Sequence, residues 1–189
     1  MASNTLLLPH SYPPASTRWP ALLRAWLPVF LFAGIFTLES TAAFGSNRTS
    51  APLHSLLHSF LGSAVDPNWP QIHHMIRKTG HFVGYGMLSL VLLRGFRHTL
   101  RNSAARLRSL WASPALAIAA TFLVASADEI HQTFLPNRTG CFADVLLDTS
   151  GAAAMQLALI LVLCTIRLWR KDELKEAEPR SQRSARLAA

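Results

Sequence analysis

Three side chains in the segment RKTGHFVGYGML stand where one helical face would carry them: Lys78, His81 and Tyr85, at i, i+3 and i+7. A second segment, DEIHQTFLPNRTGCFADVLLD, residues 128 to 148, holds Asp128, Glu129, Gln132 and Arg138, then Asp144 and Asp148 at i and i+4. With His131 added, the set has four carboxylates against two permanent bases. Carboxylates brought this close do not all ionise unless cations neutralise them. Acids in such a setting can act as general acids or bases. They can also bind: Lys78 and Arg138 would take phosphate or carboxylate, while the acids and Gln132 would take amine, amide or sugar groups. No spacing within the set specifies a metal, and no cofactor is implied. The alternative is structural, with ion pairs that only cap helices and lock a hairpin.

The elements that must position these residues are apolar. Half of the 189 residues are hydrophobic and 15% are charged, against about a quarter charged in soluble domains. The apolar residues fall in four blocks, Ala25–Leu38, His81–Leu93, Leu110–Ala127 and Thr149–Ile166. A bilayer core needs roughly 20 residues of helix, and the first two blocks reach that only when extended back to Ala21 and to about Met75. This predicts an all-α polytopic membrane protein: a bundle of four transmembrane helices. Residues 1–19 read as a flexible cytoplasmic lead, 20–168 as the membrane domain, and 169–189 as a charged cytoplasmic tail that starts as a helix.

The net charge of +8 invites a nucleic-acid reading, but its distribution explains it otherwise. Two of the basic residues precede or enter the first block, five lie between the second and third, and seven follow the last. The alternate segments hold three and one. That is the positive-inside pattern, with both termini cytoplasmic and the 128–148 stretch outside. Small residues in STAAFGS resemble a signal-peptide cleavage site, yet the region before them is long and weakly basic. Charges near the outer edge of the hydrocarbon need partners or an aqueous cavity, since one at the centre costs roughly 2.5–3.5 kcal/mol. All the polar groups are therefore expected near one depth, as an outward-facing pocket.

In the first outer loop, APLHSLLHSFLG places Leu53, Leu56, Leu57, Phe60 and Leu61 on one face, with Pro52 at the start. This predicts a short amphipathic helix on the membrane surface. His54 and His58 have the spacing of a metal pair, but with no acid or third ligand at a fixed spacing they read as its polar face. Trp19 and Trp26 read as interface anchors, and Arg94, Arg97 and Arg101 as a solvated face. Cys141 and Cys164 fall at different depths and cannot pair within one chain. Small residues, from Ala115 to Ser126 and from Gly151 to Ala154, suit close helix packing.

At its polar residues the sequence resembles the VanZ-like family. The resemblance rests on RKTGHFVGYGMLSL, on DEIHQTFLPNRTGCFADVLLD and on Gly151. Members are similar in carrying Lys-x-x-His-Phe-x-x-Tyr, then Asp-Glu-x-x-Gln-x-Phe-x-Pro-Gly-Arg and Asp-Val-x-x-(Asn or Asp)-x-x-Gly. The resemblance puts the family's polar positions on Lys78, His81, Tyr85, Asp128, Glu129, Gln132, Arg138, Asp144 and Asp148. Two departures are Asn137, where glycine is usual, and Asp148, where many members have Asn. The family takes its name from a protein associated with resistance to the glycopeptide teicoplanin. The resemblance thus implies an envelope role in a bacterial cytoplasmic membrane without assigning resistance to this chain.

Three readings follow. The pocket binds a membrane lipid or lipid-linked envelope precursor; or it is an enzyme on such a substrate, with Asp144 or Asp148 as acid or base and His81 and Tyr85 in support; or the cluster fixes a structural, partner-binding protein. No serine or cysteine nucleophile has a matching base in the motifs. A transporter is disfavoured by the one-sided polar groups and the lack of an inverted repeat, an objection that a homo-oligomer would weaken.

Overall fold

The computed structural model describes residues 18–100, 106–135 and 140–177. Among these, all regular structure is helical: α1 (Arg18–Glu39), α2 (Ser46–Leu61), α3 (Trp69–Leu100), α4 (Arg106–Thr133) and α5 (Phe142–Ala177), with short 3-10 turns on either side of α2. α3 packs against α1, α4 and α5, and α4 packs against α5.

Pro20 lies in the first turn of α1, where its missing N–H costs nothing. Pro28 lies inside the same helix and cannot donate to the Arg24 carbonyl one turn earlier. Arg94 of α3 supplies the missing donor, its Nη1 lying 3.0 Å from the Arg24 oxygen. Arg94 thus has a partner in α1 and is not simply part of a solvated face. Trp26 is likewise tied into the bundle: its Nε1 donates to Thr99 Oγ1 at 3.0 Å and its ring meets Phe96 edge-on. Trp19 is largely exposed. Arg101 lies outside the described residues.

α3 and α5 meet at glycine. A Cβ on Gly151 would strike the Phe82 backbone, and one on Gly86 would lie 3.0 Å from the Gly151 carbonyl oxygen. Around this crossing Tyr85, Leu88 and Leu92, at i, i+3 and i+7 on α3, pack with Ala117 and Ala125 of α4 and Val145 of α5. Gln156 of α5 donates to Ser89 Oγ at 2.7 Å inside this core. Small residues therefore bring the backbones together, which is what permits polar side chains on neighbouring helices to meet.

Among the described residues, three helices are long and apolar enough to cross a membrane: α1, α4 from Trp111, and α5 as far as Glu173. The second expected span falls within α3, which has the length, 32 residues, but whose polar residues keep it out of that class. α2 is longer than expected. It begins at Ser46, so Pro52 lies inside it and does not start it. α5 runs without a break past residue 168, so the expected tail continues the last helix.

Candidate functional site

The face of α3 that carries Lys78, His81 and Tyr85 is opposed by a carboxylate at each step. Lys78 Nζ pairs with Asp144 Oδ1. His81 Nδ1 stands 3.5 Å from Asp148 Oδ2. The Tyr85 hydroxyl donates to Asp128 Oδ2 at 3.2 Å, and Gln132 Nε2 donates to the same oxygen at 3.0 Å. Lys78 to Tyr85 spans about 10 Å of helix at the usual rise per residue. The groups therefore form successive rungs along α3.

The Lys78 end of the ladder is fixed by the junction of α4 and α5. Buried Glu129 accepts the Cys141 backbone N–H at 2.8 Å. Gly140 makes this approach sterically allowed, because a Cβ there would collide with the Glu129 carbonyl. Asp144 sits in the first turn of α5, where the helix dipole favours a negative charge. His131 Nδ1 meets Ser40 Oγ at 2.9 Å and joins the ends of α4 and α1.

Between these elements lies a cavity of about 470 Å³, within the usual range for small-ligand sites of roughly 300–1,000 Å³. α3 lines one side with His73, His74, Arg77, Lys78 and His81; Glu129, Gln132, Asp144 and Asp148 line the other. Ser46 and Ser50 of α2, with Trp69, Pro70 and Leu147, complete the lining. α2 is held there by Trp69 Nε1 donating to Ser50 Oγ at 2.8 Å, and by Thr49 Oγ1 at 3.3 Å from His73 Nε2.

Asp148 differs from the other acids. Its side chain is wholly buried beside the cavity, whose lining includes it, and neither carboxylate oxygen has a hydrogen-bond partner among the described residues. A buried acceptor left in this way costs about 1–3 kcal/mol, and more when charged. Among the described residues His81 is the basic group within ion-pair range of it, at the long end of that range. His73, near the start of α3, is pushed below the usual histidine range, first by burial, then by Arg77 and His74. It also stacks on Trp69.

Of the residues singled out by sequence, the cavity brings together Lys78, His81, Glu129, Gln132, Asp144 and Asp148. Tyr85 and Asp128 form the deepest rung and are not part of its lining. Arg138 lies outside the described residues. Sequence reading weighed His73 and His74 only beside the His54 and His58 spacing and did not assign them or Arg77 to the site, although His73, Arg77 and His81 follow at i, i+4 and i+8 on the same helix. It also missed Asp66, the acid that joins His54 and His58: His54 Nε2 meets Asp66 Oδ1 at 2.9 Å and His58 Nε2 lies 3.6 Å from Oδ2. Among the described residues no group of three or more His, Cys, Asp or Glu side chains is placed to hold a metal ion. Cys141 and Cys164 are both free and exposed.

Comparison with curated proteins and with solved structures finds no match. The family model described as VanZ/LLP1 matches residues 22–164, which is more than half of the chain and includes every rung of the polar ladder. The chain belongs to the VanZ/LLP1 family.

Proposed function

We propose that this is a four-span protein of a bacterial cytoplasmic membrane, with both termini inside, whose outward cavity binds the polar headgroup of a lipid-linked envelope component. The observation that carries the reading is Asp148: a buried carboxylate in the lining of a cavity between helices, without a hydrogen bond among the described residues. Holding it there costs stability, a cost that a ligand supplying donors would offset.

In this reading α3 crosses beside α1, α4 and α5, from about Ile76 inward. Its polar side chains are tolerated because they face Asp144, Asp148 and Asp128, not hydrocarbon. Phe30, Leu31, Leu123, Leu157 and Leu161 stay exposed on the other helices and suit lipid contact. α2 lies on the outer surface, with Leu56, Phe60 and Leu61 exposed towards the acyl boundary. A connection to teicoplanin-type resistance would run through the envelope component that the cavity holds.

Native mass spectra of the protein released from its own membrane test this. Wild type should retain a defined lipid or lipid-linked species, which Lys78→Ala and Asp148→Asn at matched folded yield should lose. Equal absence of lipid from all three forms would contradict the reading and favour the structural alternative.

A further inference from the structure

The cavity is electrostatically divided. Arg77 and Lys78 bring positive charge from α3, and Glu129, Asp144 and Asp148 bring negative charge from α4 and α5. Lys78 and Asp144 pair across the middle. Along α3 Arg77 precedes Lys78, and His81, which meets Asp148, follows it; Arg77 and His81 are one helical turn, or about 6 Å, apart along the axis. Ser50 accepts the Trp69 indole N–H at 2.8 Å, which leaves its own hydroxyl proton to donate.

Resting on the headgroup site proposed above, we infer that the ligand carries a phosphate and a primary ammonium a short linker apart, with the ammonium meeting Asp148 and the phosphate meeting Arg77. Asp148 holds two buried carboxylate oxygens without hydrogen bonds among the described residues. The group that satisfies them must bring N–H or O–H donors as well as positive charge. A primary ammonium brings three donors; a quaternary ammonium brings charge alone. The guanidinium of Arg77, one of whose nitrogens also donates to the Phe44 carbonyl at 3.4 Å, shares the cavity lining with Ser50 and is a phosphate-binding group. An ethanolamine phosphodiester has this chemistry, whether as a phospholipid headgroup or as the free glycerol diester.

The test is lipid titration of the purified full chain by native mass spectrometry, with phosphatidylethanolamine, phosphatidylglycerol and phosphatidylcholine as probes. Wild type should prefer phosphatidylethanolamine by about ten- to hundredfold, the worth of one hydrogen bond to a charged group. Asp148→Asn should abolish that preference while keeping phosphatidylglycerol binding, and Asp148→Glu should retain it. Arg77→Gln should weaken phosphatidylethanolamine and phosphatidylglycerol together.

Competition by glycerophosphoethanolamine separates the two sources: displacement means the soluble diester suffices, and no displacement means acyl chains are needed. Both agree with the shared chemistry. Equal binding of the three lipids by wild type, still sensitive to Arg77→Gln, would overturn the ammonium assignment and leave the headgroup site standing. Binding of no lipid by any folded form would overturn both.

Discussion

Asp148 and His81 should respond very unequally to mutation. At 3.5 Å and an effective dielectric constant of about 20, their attraction is roughly 5 kcal/mol. Desolvating the two charges costs several kcal/mol for each ion, so the pair as a whole contributes little net stability. Removing one partner is a different matter. His81→Ala leaves the wholly buried Asp148 carboxylate, which has no hydrogen bond among the described residues, without its ion-pair partner, which should cost about 3–5 kcal/mol. Asp148→Asn removes the buried charge and leaves His81, whose side chain is about a third exposed, to water. Its cost should stay below about 2 kcal/mol. The double variant His81→Ala, Asp148→Asn should recover part of the loss caused by His81→Ala alone. Reversible unfolding in detergent, followed by helix signal against denaturant, measures all three. Equal costs for the two single variants, or a double variant less stable than His81→Ala, would refute the claim that Asp148 is an under-compensated buried charge.

Other consequences can be checked with the same assay. His73 is held below its ordinary value of 6.5 by burial, Arg77 and His74, so its contribution is fully present above that value. It is lost as pH falls through the depressed folded-state value, and His73→Gln should flatten this acid-side decline in a pH series. Gly151→Ala drives a methyl into the Phe82 backbone and should cost about 1–3 kcal/mol or more, whereas Gly34→Ala, with nothing within 4 Å of the new carbon, should be neutral or stabilising in a thermal melt. Arg94→Ala leaves the Arg24 carbonyl without its donor and should cost about 1 kcal/mol. In a Pro28→Ala background the restored N–H makes Arg94 redundant there, so a double-mutant cycle should show coupling, and strict additivity would contradict the assignment.

The helical face holding Lys78, His81 and Tyr85 could be read from spacing alone, because one helix fixes it. Which carboxylate meets which of them could not. That depends on where α3 crosses α5, and the crossing is set by the contact of Gly86 and Gly151 with the neighbouring backbone. The small residues announced close packing without giving its register. The start of α2 was misplaced because Pro52 resembles a helix start. A proline also fits inside a helix when the carbonyl one turn back, here that of Arg48, can do without its helical partner. Placing α2 from Ser46 is what brings Ser46 and Ser50 to the cavity. Asp66 was missed for a related reason: its contacts with His54 and His58 form only once the chain turns back after α2. The isolation of Asp148 has no sequence signature at all, because it depends on which donors fail to reach it.

The central claim is that the space beside Asp148 holds one kind of headgroup. Photo-crosslinking in intact membranes addresses it directly, with a photoreactive residue placed at Leu147 in the cavity lining or at Phe30 on the exposed face of α1. The account predicts one dominant headgroup class captured from position 147, diminished by Asp148→Asn, against a mixture that mirrors bulk lipid at position 30. The same mixture at both positions, indifferent to Asp148→Asn, would contradict it.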